Sequence, residues 1–154
     1  AVAVEIDQLV QKLRDREVPQ TEFYAGFEQV IYTKSHSSQK SLVQYILKAV
    51  AANEKQPFIG GTDELTIEHL LPQEASKNGT SELIIGQLGN LILVDSETNG
   101  LLATKGFTEK KAILASRGYK LPEILESADN ITEEVIRANT QRLADLSRET
   151  IWKI

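Results

Sequence analysis

From residue 5 to 16 the apolar side chains Ile6, Leu9, Val10 and Leu13 recur at helical spacing, and Pro19 supplies a stop. Thr21 is placed to cap a second helix that carries Phe23, Phe27, Val30 and Ile31 on one side. The polar run Lys34-Ser35-His36-Ser37-Ser38-Gln39-Lys40 predicts a loop in which His36 is solvated. A third helix follows over about 41–53, with Leu42, Tyr45, Ile46 and Ala49 turned inward. Gln56 to Gly61, with Pro57, Gly60 and Gly61, punctuates the chain.

Beyond that point the period changes from helical to alternating. Leu65, Ile67, His69 and Leu71 predict a strand that Pro72 stops. A polar loop runs through Lys77-Asn78-Gly79-Thr80, and Ile84 and Ile85 predict a short extended piece. Leu91 to Val94 predicts a second strand, and Asn99-Gly100 is a turn signal. A basic helix is expected over about 108–116, ended by Gly118. The last helix starts near Thr132, with Glu133 and Glu134 favouring its dipole and Val135, Ile136, Leu143, Leu146 and Ile151 as its stripe. Trp152 and the Phe23/Phe27 pair are most simply core. The expected fold is α+β and mostly helical, its helices packed around a small strand pair. One domain over 1–154 is expected, with a helical scaffold at 1–55, a strand-strand-helix motif at 63–117 and a C-terminal helix at 131–152.

Composition narrows this only a little. An apolar share of 41% with 25% charged residues is ordinary for a globular protein, and no apolar run reaches the roughly 18 residues of a membrane span. Glu5, Asp7 and Gln8 interrupt any signal-peptide core, and the absence of cysteine excludes disulfides and thiolate metal sites. These features fit a cytoplasmic protein. The chain begins with Ala1 and holds no methionine, as expected of the C-terminal part of a larger protein. The net charge of −5 argues against a general nucleic-acid coat, yet Lys105, Lys110, Lys111, Arg117 and Lys120 face one acid, Glu109, between 105 and 120. Such a cluster is either a solvated helix face or a local surface for a phosphate backbone.

The candidate chemistry lies in Glu68-His69-Leu70-Leu71-Pro72-Gln73, followed by Gly89-Asn90-Leu91-Ile92-Leu93-Val94 and then Asn99. Hydrolysis of a phosphodiester needs an activated water, a counter-charge on the phosphate and help for the leaving oxygen. A histidine titrating near neutrality can take the water proton, which gives His69 the role of base. Mg²⁺, or Mn²⁺ in its place, takes few protein ligands, and Glu68 and Asn99 offer a carboxylate and a neutral oxygen. Asn90 would orient His69 or brace the loop, and Asp95 and Glu97 stand second as metal ligands. Adjacent residues of a regular strand point to opposite faces, so Glu68 and His69 share one site only if the strand bends or ends there.

The run Glu-His-Leu-Leu-Pro-Gln resembles the opening of HNH nucleases, the ββα-metal or His-Me finger group, whose middle Asn-x-x-Leu is matched by Asn90 to Leu93 and whose third Asn or His is matched by Asn99. Over most of its length the chain resembles the C-terminal domains of GmrSD-type, modification-dependent restriction enzymes. The shared features are Tyr45-Ile46-Leu47, the Glu-His and Gly-Asn-Leu motifs, Phe107, Lys110 or Lys111, and Ile151-Trp152. The resemblance implies a metal-dependent endonuclease defending against foreign DNA, joined to an N-terminal, ParB-like nucleotide-hydrolysing sensor domain, as in phosphorothioate-sensing defence proteins. It also implies that Thr104, Lys105, Lys110 and Lys111 lie near nucleic acid. One departure is Thr104, which stands where the family usually has a second asparagine. The competing reading is a nuclease fold that has lost catalysis and binds DNA or a protein.

Overall fold

The computed structural model describes residues 2–16, 20–57 and 65–153. Helix α1 spans Val2–Arg16, α2 Gln20–Glu28 and α3 Lys40–Asn53. Strand β1 (Leu65–His69) is followed by a 3₁₀ turn at Gln73–Asn78 and by one helical turn, α4 (Glu82–Ile85). A second 3₁₀ turn, Leu88–Asn90, leads directly into β2 (Leu91–Asp95). Then come α5 (Ser96–Leu102), α6 (Phe107–Ser116), α7 (Glu123–Glu126) and α8 (Glu133–Leu146), with a π turn at Ser147–Ile151. The fold is α+β and mostly helical, with a two-stranded antiparallel sheet among the described residues. The expected stops at Pro19 and at Gly60-Gly61 lie outside those residues.

The strands pair in the register Leu65↔Asp95, Ile67↔Leu93, Glu68↔Ile92 and His69↔Leu91. Pleating therefore sorts side chains to two faces. Thr66 and Glu68 turn toward α5 and α6, where they bond Asn99 and Lys110. Ile67, His69, Leu91 and Leu93 turn the other way, toward the side on which α3 packs over β2. The core runs through both faces, from Val43, Ile46, Leu47 and Val50 of α3 to Leu102, Leu114 and Ile136.

Several expectations shift by a residue or change type. Helix α3 buries Val43, Ile46, Leu47, Val50 and Ala51, so its inward face is rotated from the Leu42/Tyr45/Ala49 stripe. In α1 Ile6 and Val10 are buried while Leu9 is exposed. Thr21 lies inside α2 rather than at its cap. Ile84 and Ile85 are helical, not extended, because Ser81 caps the turn by accepting the Leu83 N–H. Asn99-Gly100 is helical too: the Asp95 carboxylate accepts the Thr98 N–H at 2.8 Å and starts α5 ahead of it. Gly118 does stop α6, at φ 85°. In α8 the buried face includes Asn139 and Thr140, polar residues that an apolar count passes over.

Candidate functional site

β1 stays regular through its last residue, His69, which pairs with Leu91. The bend that would bring Glu68 and His69 into one site is absent, and the two side chains lie on opposite faces of the sheet. Each is buried, to 8% and 7% exposure, and each has its own partners.

On one face, His69 Nε2 lies 2.8 Å from the Tyr32 carbonyl oxygen, and the two rings stack with centroids 5.8 Å apart. A carbonyl only accepts, so Nε2 carries the proton, and the neutral ring has its lone pair on Nδ1. Burial pulls the His69 pKa below its ordinary 6.5, Lys110 adds to this, and the Tyr32 carbonyl and Glu74 oppose it. Tyr32 is held for this contact by its own backbone. Its N–H donates to Gly86 O at 2.9 Å, and Ile31 forms a bridge with Gln87. The following loop is tied to the motif as well, since the Lys34 N–H donates to the Gln73 side chain at 2.8 Å.

On the other face, Lys110 of α6 is fully buried, at 0% exposure. Its Nζ donates to Glu68 Oε1 at 2.9 Å, to the His69 carbonyl at 2.9 Å and to the Leu70 carbonyl at 3.3 Å. Burial pushes the Glu68 carboxyl up, while the Lys110 hydrogen bond and charge pull it down. Asn99 stands on this face and donates from Nδ2 to Thr66 Oγ1 at 2.8 Å.

Asn90 is fully buried between the two. Its Oδ1 accepts the Leu71 N–H at 2.8 Å, and its Nδ2 donates to Leu71 O at 3.0 Å and Ile85 O at 2.8 Å. Its own carbonyl accepts the Leu70 N–H at 2.9 Å. These bonds hold the chain just beyond His69, and none of them goes to the His69 ring.

The sequence pattern of the C-terminal domain of GmrSD restriction endonucleases matches residues 18–146. The chain belongs to that family. It is thus a restriction endonuclease-related domain. No curated protein and no solved structure matches the chain. No helix among the described residues is long and apolar enough to cross a membrane.

The Glu-His pair and both asparagines do not form the expected metal centre. The ammonium of Lys110 already sits against the Glu68 carboxylate. No group of three or more His, Asp or Glu side chains is placed to hold a metal ion among the described residues. Asp95, the second candidate, is engaged by Tyr119, Thr98 and Arg117, and Glu97 pairs with Arg117 at 3.2 Å. As placed, this donor set does not fit a divalent ion bound through Glu68.

The expected basic face is also largely committed. Lys110 cannot reach nucleic acid because it is buried and all three of its N–H bonds have acceptors. Lys105 donates to Leu101 O at 2.6 Å. Lys111 donates to Glu126 O and Ala128 O at 3.1 and 2.7 Å and lies over the Phe107 ring. Thr104 is exposed in the turn between α5 and α6. The sequence reading misses Tyr32 and places Lys110 at nucleic acid rather than against Glu68. Tyr32 acts through its backbone carbonyl, which no side-chain pattern reports. Lys110 did leave a signal: with Phe107 and Leu114 it falls at i, i+3 and i+7, the buried stripe of α6.

Proposed function

We propose that this domain is an HNH-type endonuclease that cleaves DNA phosphodiester bonds in restriction of foreign DNA, with His69 as the general base. The observation that carries this reading is the bond from His69 Nε2–H to the Tyr32 carbonyl. It fixes the tautomer, so that the neutral ring, which burial favours at neutral pH, carries its lone pair on Nδ1. No described residue pairs with Nδ1. Family membership and the order β1, β2, α5 support a ββα nuclease motif. Asn90 and Asn99 take positioning roles; Thr104, Lys105 and Lys111 are kept as secondary nucleic-acid contacts beside the exposed lysines on the His69 side, and the buried Lys110 drops out. A hard divalent ion, Mg²⁺ or Mn²⁺, belongs to the proposal as a requirement of the assay, and no step is assigned to it. A nucleotide-hydrolysing sensor domain as partner is part of the same proposal.

The second reading, a nuclease fold without catalysis that binds DNA or protein, is favoured by the Lys110–Glu68 pair and by Thr104. Cleavage of supercoiled plasmid with Mg²⁺ or Mn²⁺, against EDTA and against H69A, separates the two. Nicked or linear product that depends on His69 is expected. A folded chain that binds DNA but leaves it intact, with H69A indistinguishable, would select the second reading.

A further inference from the structure

A lysine has three N–H donors, and Lys110 has three oxygens around its ammonium: Glu68 Oε1, His69 O and Leu70 O, at 2.9, 2.9 and 3.3 Å. One carboxylate and two backbone carbonyls form the kind of all-oxygen set that hard cations such as Mg²⁺ and Ca²⁺ take. The set spans three consecutive residues at the end of β1, the segment from which His69 projects. Burying an ammonium is costly unless its charge is paired and each donor is met, and at 0% exposure Lys110 meets both conditions.

We propose that Lys110 is the resident cation of this motif: its ammonium fills the oxygen cage of Glu68, His69 and Leu70, excludes a divalent metal from Glu68, and fixes the strand end that presents His69. Two cations cannot share a cage of this size, because like charges so close repel strongly even at an effective dielectric of about 20. Lys110 is thus a positioning residue, acting on His69 through the backbone carbonyl on the far side of the strand from the ring. The assignment holds whether or not the domain cleaves DNA.

The first arm of the test is the near-isosteric E68Q in the full chain, with Mn²⁺ binding read by electron paramagnetic resonance. Affinity unchanged within about twofold is expected, and an absence of measurable binding in both proteins counts as unchanged. Weakening of about tenfold or more, the usual consequence of damaging a metal's ligand environment, would overturn the proposal. The second arm is thermal unfolding of wild type, K110A and E68Q/K110A in Mg²⁺ and in KCl of matched ionic strength. K110A empties the cage and is expected to melt lower than wild type, to recover part of that loss with Mg²⁺, and to lose this response in E68Q/K110A, because a ligand stabilises the state that binds it. A folded K110A indifferent to Mg²⁺, or a wild type stabilised by Mg²⁺ through Glu68, would overturn the proposal. Should K110A fail to fold, the E68Q arm decides. Both readouts are independent of cleavage, so loss of the nuclease reading and loss of this proposal are distinguishable.

Discussion

At the scale of single residues, the Asn90 side chain is bonded to backbone on either side of the motif. It satisfies Leu71 at both N–H and C=O, half-buried, and also the buried Ile85 O. N90A leaves those three backbone groups without partners, and a loss of roughly 2–4 kcal/mol is expected in urea unfolding. Asp95 offers a test in pH. Burial works against its charge, but bonds from the Tyr119 hydroxyl and the Thr98 N–H and hydroxyl, with Arg117 nearby, outweigh burial and hold its pKa at about 2. The same pairing, after burial, pushes Tyr119 up to about 12. A depressed folded pKa contributes stability that is present above the unfolded value of 3.8 and is lost as pH falls toward about 2. The melting temperature of D95N is therefore expected below wild type at neutral pH, with the gap closing over that acid window.

Among the elements, the 3₁₀ turn at Leu88–Asn90 does most to shape the site, since it sets Asn90 at the mouth of β2. It is docked on α8: Gly89 N–H donates to Thr140 Oγ1 at 3.0 Å, and Asn139 Nδ2 donates to Gly89 O at 2.8 Å. A Cβ on Gly89 would come within 2.3 Å of Ile136 O and 2.4 Å of Thr140 N, both backbone atoms. G89A must push α8 away, and a clear fall in melting temperature, with loss of any cleavage activity, is the expected result. The strands, helix α6 and the start of α8 at Thr132 were all legible from apolar period and capping residues. What stayed hidden followed from contacts between elements. Ile84 and Ile85 have the composition of a strand, yet a Ser81 cap and a four-residue span make a helical turn. Asn139 and Thr140 look like solvent-facing positions until the Gly89 backbone is placed against them. Glu68 and His69 are neighbours in sequence, but whether a strand bends is decided by pairing, and His69 pairs with Leu91.

At the scale of the whole molecule, a net charge of −5 makes the placement of its free cations matter more than their number. The lysines of α6 and the turn before it hold carboxylate or carbonyl oxygens. On the His69 side, Lys40 Nζ lies 5.6 Å over the Tyr32 ring that stacks on His69, and Lys34 is exposed on the same loop. Glu74 and Glu82 are the acids nearby. Under the nuclease reading, K34A/K40A is expected to weaken binding to a labelled duplex more than K105A/K111A, with the salt slope reduced by about 2. Fluorescence anisotropy at several salt concentrations measures both, and an equal or reversed ranking would return the phosphate contacts to α6. The docking of Gly89 on Asn139 and Thr140 also has a meaning in time. A ribosome delivers His69 about 70 residues before Thr140, and at roughly 5–20 residues per second the nascent chain spends several seconds with its Glu-His motif made and the helix that closes it still to be synthesised.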